Sequence, residues 1–82
     1  MQLTVDISLY PNKENFIPPI KDFIDCLNCY DDIQVQTFPT STVMMGDFDR
    51  VMEILAIEIK AYRERQGMGI FVTKFLPGYE AL

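Results

Sequence analysis

Ser8 and Tyr10 stand two apart in the run "LTVDISLYP", and Thr40, Ser41 and Thr42 follow one another in "FPTSTVMMG". Each hydroxyl can donate one hydrogen bond and accept others. The chain contains no histidine, so the commonest general base and the commonest metal ligand are both missing. Grouped hydroxyls without a base suit the recognition of a small polar molecule better than nucleophilic attack. No nucleophile–base pair, metal cluster or phosphate loop is legible, and a non-catalytic protein without a cofactor or metal is expected.

Two further constellations could carry chemistry. Cys26 and Cys29 form a C-x-x-C. A metal-binding pair belongs in a loop where both thiolates can converge on one ion, and a redox pair belongs at a helix N-terminus, where the dipole lowers the thiol pKa. Here the pair falls at a helix end, and two thiols alone do not complete a four-ligand zinc site. Ordinary reduced cysteines are expected. Glu58 falls within the apolar arc drawn by Val51, Ile54, Leu55 and Tyr62. A carboxylate there needs a partner. Either its head reaches solvent or a basic side chain, or it receives the amino or cationic group of a ligand.

The elements that must position these groups are separately signalled. Residues 2–10 alternate strictly, with Leu3, Val5, Ile7 and Leu9 on one side and Thr4, Asp6, Ser8 and Tyr10 on the other. Pro11 ends the strand, 12–15 make a polar turn, and Pro18 and Pro19 suit the first turn of a helix running to about Tyr30. Its stripe is Ile20, Phe23, Ile24 and Leu27. A second strand is predicted over 33–38 and a third over 40–45, antiparallel because Pro39 leaves so short a connection. Gly46 and Asp47 form a joint, with Asp47 as N-cap of a helix from about Phe48 to Arg65. A last strand covers 68–76.

The order βαββαβ predicts an α+β, ferredoxin-like sandwich spanning 1–82 as one domain. Right-handed crossovers set an antiparallel sheet of order 4-1-3-2 with two helices on one face. The central strands then run antiparallel, bringing the end of the first beside the start of the third. Alternation in the third strand permits two sets. Val43 and Met45 look the better core pair, which places Thr40, Thr42 and Met44 with Ser8 and Tyr10 on the helix-free face. Gln34, Gln36 and Phe38 join them, with Phe71, Thr73 and Phe75 as candidates from the fourth strand. Such a face can be solvated, can pack on a second copy, or can line a ligand pocket at that interface.

The chain has 82 residues, 49% hydrophobic and 23% charged, and a net charge of −5. A domain this small buries only about 60–65% of the surface of its unfolded chain. Scattered basic residues and net acidity disfavour nucleic acid. No apolar run approaches the ~20 residues of a membrane span. The alternating start lacks the layout of a signal peptide, so a soluble cytoplasmic protein without membrane contact is expected.

"DISLYPNKENFIPPIKDFI" and "TSTVMMGDFDRVMEIL" resemble the two signature stretches of the YkoF-like thiamine/hydroxymethylpyrimidine-binding domains. The matching residues are Ser8-Leu9-Tyr10-Pro11, Phe16-Ile17, Ser41-Thr42-Val43, Gly46 and Asp49-Xaa-Val51, and the likeness covers about residues 3–60. The resemblance implies a ferredoxin-like domain that binds thiamine or its pyrimidine half without transforming it, and that self-associates as a homodimer or homotetramer. It carries the ligand-contacting threonine onto Thr42. Ser8, Tyr10, Thr40, Ser41, Met44, Phe38 and Glu58 extend the expected site. Glu58 departs from the family pattern, which is apolar or small there. The rival expectation is a structural or regulatory module whose hydroxyl-rich face serves self-association alone.

Overall fold

A computed structural model describes residues 1–82. The elements are β1 (Gln2–Pro11), α1 (Ile17–Asn28), β2 (Gln34–Thr37), β3 (Thr42–Asp47), α2 (Phe48–Gln66) and β4 (Gly69–Pro77). The sheet is antiparallel throughout, in the order β2-β3-β1-β4. This is the ferredoxin-like α+β fold that the sequence predicts. No helix is long and apolar enough to cross a membrane.

Local chemistry explains most boundaries. Prolines occupy the first turn of α1, where a missing N–H is no loss. Its last turn tightens, the N–H groups of Cys29 and Tyr30 reaching the carbonyls of Cys26 and Leu27. At α2 the Asp47 carboxylate accepts from the Arg50 N–H at 3.2 Å, a side-chain N-cap. Gly67 closes the same helix at φ +86°, a conformation that L side chains rarely adopt.

One core joins both helices to one sheet face. Leu3, Val5 and Ile7 of β1 meet Phe23 and Leu27 of α1 and Val51, Ile54, Leu55 and Tyr62 of α2. Phe23, Tyr62 and Phe71 pack edge-to-face, with ring centroids 5.1–6.1 Å apart.

The face assignment of β3 is corrected by one residue. Ile7 lies opposite Thr42, Val5 opposite Met44 and Leu3 opposite Gly46, so Thr42 and Met44 face the helices. Val43 and Met45 stand on the helix-free face, opposite Asp6 and Thr4. The physical reason is Gly46. Ile33 and Val51 come so close that a Cβ at 46 would lie 2.9 Å from Ile33 Cγ2, so the position under the helices accepts glycine and not methionine. Met45 is still buried, because the C-terminal tail closes over its neighbour Thr4. The Thr4 hydroxyl bonds the Tyr79 carbonyl and accepts from the Ala81 N–H.

β4 is corrected likewise. Phe71, Thr73 and Phe75 pair opposite Leu9, Ile7 and Val5 and so face the helices, while Ile70, Val72, Lys74 and Leu76 lie on the helix-free side. β3 also begins two residues later than the alternation suggests. Phe38-Pro39-Thr40-Ser41 forms the hairpin loop, closed by the Phe38 N–H donating to the Ser41 carbonyl at 2.8 Å.

Candidate functional site

The end of β1, the β2–β3 hairpin loop and the middle of α1 surround a cavity of about 180 Å³. It is lined by Ile7, Ser8, Leu9, Ile20, Phe23, Ile24 and residues 37–42. The alternation of β1 supplies Ile7 and Leu9. The apolar stripe of α1 supplies Ile20, Phe23 and Ile24, and the hairpin supplies the hydroxyls. The floor carries the polar feature: Thr37 Oγ1 and Thr42 Oγ1 lie 3.2 Å apart. Two hydroxyls sharing one hydrogen bond keep a second O–H and several lone pairs for another partner. Thr42 is buried, only 5% exposed.

The expected residues separate into groups. Ser8, Phe38, Thr40, Ser41 and Thr42 come together around this cavity. Ser8 stands on the helix-free side, where its hydroxyl donates to the Thr40 carbonyl at 3.2 Å and ties the β1 end to the hairpin loop. The hydroxyls therefore meet at one end of the sheet and not on a single face of it. Tyr10 is exposed and lines an adjoining apolar hollow with Leu9, Pro11, Phe16, Ile20, Pro39 and Thr40. Met44 is fully buried core and lines neither space.

Glu58 sits elsewhere, at the far half of α2. It is buried, and the Tyr30 hydroxyl donates to its Oε2 at 2.7 Å. That bond is the main reason the Tyr30 phenol titrates above its ordinary value. The Arg50 guanidinium lies over the Tyr30 ring, 5.3 Å from its centroid. The carboxylate thus has a structural partner in a tyrosine, where the sequence pointed to solvent, a basic side chain or a ligand. Both cysteines are free. Arg65 donates to Cys26 Sγ at 3.4 Å and the Cys29 thiol donates to the Asp25 carbonyl at 3.3 Å. Burial pushes the Cys26 thiol up, opposite to a reactive thiolate.

Thr37, Phe23 and Phe16 were not among the expected residues. The signal for Thr37 was present: it alternates with Val35, so both point to the helices once Gln34 and Gln36 point away. Phe16 is a polar-turn neighbour with no periodicity to mark it.

No family model and no curated protein matches the sequence. Solved structures do. A protein of Streptococcus pneumoniae superposes with a TM-score of 0.86 at 21% identity, over 96% of this chain and 89% of that one. A Thermotoga maritima protein proposed to act in thiamine biosynthesis or salvage gives 0.85 at 17% identity, over 99% and 86%. A Bacillus cereus domain of unknown function, DUF77, gives 0.73 at 13%, over 93% and 75%. What they share with this chain is the fold.

Proposed function

We propose that the protein binds thiamine or hydroxymethylpyrimidine in the cavity beneath α1 and does not transform it. The observation that carries this reading is the part-buried Thr37–Thr42 hydroxyl pair on the floor of a space of one-ring size. An aminopyrimidine edge offers a ring-nitrogen acceptor beside an amino donor, matching one free O–H and a neighbouring lone pair. Phe23 and Phe38 supply apolar and aromatic wall for the flat ring. Support also comes from the fold shared with the Thermotoga protein proposed to act in thiamine biosynthesis or salvage. The cavity lining holds no charged residue, so it presents no acid or base to the ligand.

The same reading includes self-association through the helix-free face. Tyr10, Ile70 and Val72 are exposed there at 58%, 62% and 50%, and side chains of this size in water favour a partner surface. Asp6 Oδ1 on that face is buried without a hydrogen-bond partner, and a second copy could supply the donor.

Titration calorimetry with thiamine and with hydroxymethylpyrimidine tests the proposal. Heat with wild type that is lost in Thr42→Val, with melting retained, supports it. Silence from both ligands at millimolar concentration refutes it and leaves the self-associating module. Light scattering at micromolar concentration tests the assembly, and a monomer there would remove that part.

A further inference from the structure

Cys26 and Cys29 take no part in the cavity, which no cysteine lines. They open instead into a separate groove of about 310 Å³ between α1 and α2, walled by Tyr30, Glu58, Ala61 and Arg65. Both thiols are free, Cys26 half-buried and Cys29 exposed.

The end of α1 sets how the two sulfurs stand. Side chains three apart on an α-helix are neighbours, with Cβ atoms about 5–6 Å from each other. A disulfide needs Cβ atoms about 3.5–4.5 Å apart. A helix interior resists that closure, but Cys29 lies just past Asn28, the last residue of α1. Its N–H reaches the Cys26 carbonyl at 3.2 Å, an i→i+3 bond. In a turn tightened this way the side chains at i and i+3 eclipse, so the fold draws the two thiols together. Residues 30–33 belong to no helix or strand, and no further turn of helix holds Cys29 back.

Neither sulfur is committed to a strong partner. The Cys29 thiol donates to the Asp25 carbonyl at 3.3 Å. Cys26 Sγ accepts from Arg65 at 3.4 Å, and a guanidinium there favours negative charge on the sulfur as it reacts. Proximity, not acidity, is what the fold supplies.

We propose that Cys26 and Cys29 form a dithiol modification site, closed to an intramolecular disulfide by a peroxide and reopened by a dithiol. The exposed Cys29 sulfur attacks one peroxide oxygen. An S–O bond forms, the O–O bond breaks, and the departing hydroxide takes the thiol proton and leaves as water. Cys26 then attacks the sulfenic sulfur of Cys29. The S–S bond forms, the S–O bond breaks, and hydroxide leaves with the Cys26 proton as a second water. Two thiols are oxidised and one peroxide is reduced.

The test treats the reduced full chain with hydrogen peroxide, blocks it with iodoacetamide and digests it with trypsin. Both cysteines fall in one peptide, 22–50, between Lys21 and Arg50. That peptide should be lighter by two hydrogens and unblocked, with both thiols lost together and both recovered by dithiothreitol. In Cys26→Ser, Cys29 should stop at the sulfenic acid, trapped by dimedone in at least about tenfold greater amount than in wild type. Cys29→Ser should lose its remaining thiol at least about tenfold more slowly than wild type, since that sulfur is the less accessible. Equal rates there overturn the assignment of Cys29 as the first thiol. Peroxide that adds oxygen to each sulfur separately, or links two chains instead of closing within one, overturns the inference. So does a wild type that keeps both thiols under peroxide that oxidises free glutathione. The wild-type peptide mass decides the matter even where a serine variant fails to fold. None of these readouts needs a ligand in the cavity, so they hold whether or not the pyrimidine reading does.

Discussion

Thr37 Oγ1 and Thr42 Oγ1 face each other at 3.2 Å across the last pair of the β2–β3 ladder, just before the hairpin turns. The bond is part-buried and serves two ends. It holds the loop that walls the cavity, and it sets the orientation of the hydroxyls on the floor.

Thr42→Val keeps the side-chain shape and removes one partner, so thermal or urea unfolding should show a loss of about 1 kcal/mol. Thr37→Val should lose a similar amount or less, since it is the more exposed of the pair. The double variant should lose less than the sum, because removing both partners leaves no orphaned hydroxyl. Strict additivity would mean that the two hydroxyls do not interact in solution.

Tyr62 is fully buried, yet its hydroxyl has no hydrogen-bond partner. Burial also pushes its phenol above the ordinary range. Tyr62→Phe keeps the ring that packs on Phe23 and Phe71 and discards the unpaired group. A gain of about 1 kcal/mol is expected, or a rise in Tm of about 4–8 °C for a chain of this length. A fall in Tm would show that the hydroxyl does have a partner.

Tyr30 and Glu58 give a pH-dependent prediction with a definite sign. The phenol of Tyr30 is raised, first by its hydrogen bond to Glu58 and then by burial. Its contribution to stability is therefore complete below the unfolded value of about 10 and disappears as pH rises through the higher folded value. Spectrophotometric titration should find Tyr30 ionising later than an ordinary tyrosine, and Glu58→Gln should bring it back down. Tyr30→Phe should lower stability by about 1 kcal/mol at pH 7 by leaving the carboxylate without this donor. An unchanged titration in Glu58→Gln would refute the bond.

Gly46 predicts a packing defect. Its missing Cβ would meet Ile33 Cγ2 at 2.9 Å and Val51 Cγ2 at 3.4 Å. Gly46→Ala should destabilise by about 1–3 kcal/mol, as overfilling a packed core does. Ile33→Leu, which moves the branch away from Cβ, should recover part of the loss in the double variant. A neutral Gly46→Ala would mean that α2 and the β2 approach yield easily.

Asp47 carries a smaller test. Asp47→Ala removes the cap on the Arg50 N–H and should lower stability by about 1 kcal/mol. An unchanged Tm would show that solvent serves the helix end equally well.

The elements were legible because their signals are local. Strict alternation marked β1, prolines marked the start of α1 and the hairpin, and Asp47 marked the start of α2. Their order then restricted the topology. Face assignment failed where both alternations are apolar. In "TVMMG" either Val43 and Met45 or Met44 with its neighbours could fill a core, and in β4 both Ile70–Val72 and Phe71–Phe75 look suitable. The answer depended on Gly46, whose requirement arises from Ile33 and Val51, residues brought near only by folding. For Glu58 the sequence suggests solvent, a basic side chain or a ligand, and not Tyr30, because that tyrosine lies 28 positions away in the chain. The cavity was half legible, since Ser41 and Thr42 were found and Thr37 was passed over despite its period.

The sequence by itself determined the strands, helices and their order, since periods of two and 3.6 are properties of neighbouring residues. It also determined that hydroxyls gather where β1 ends and β3 begins. Which hydroxyls share a hollow, and on which side of the sheet, was decided by tertiary structure alone. A one-residue change of register moves every side chain of a strand to the opposite face, and only the approach of the helices selects between the two.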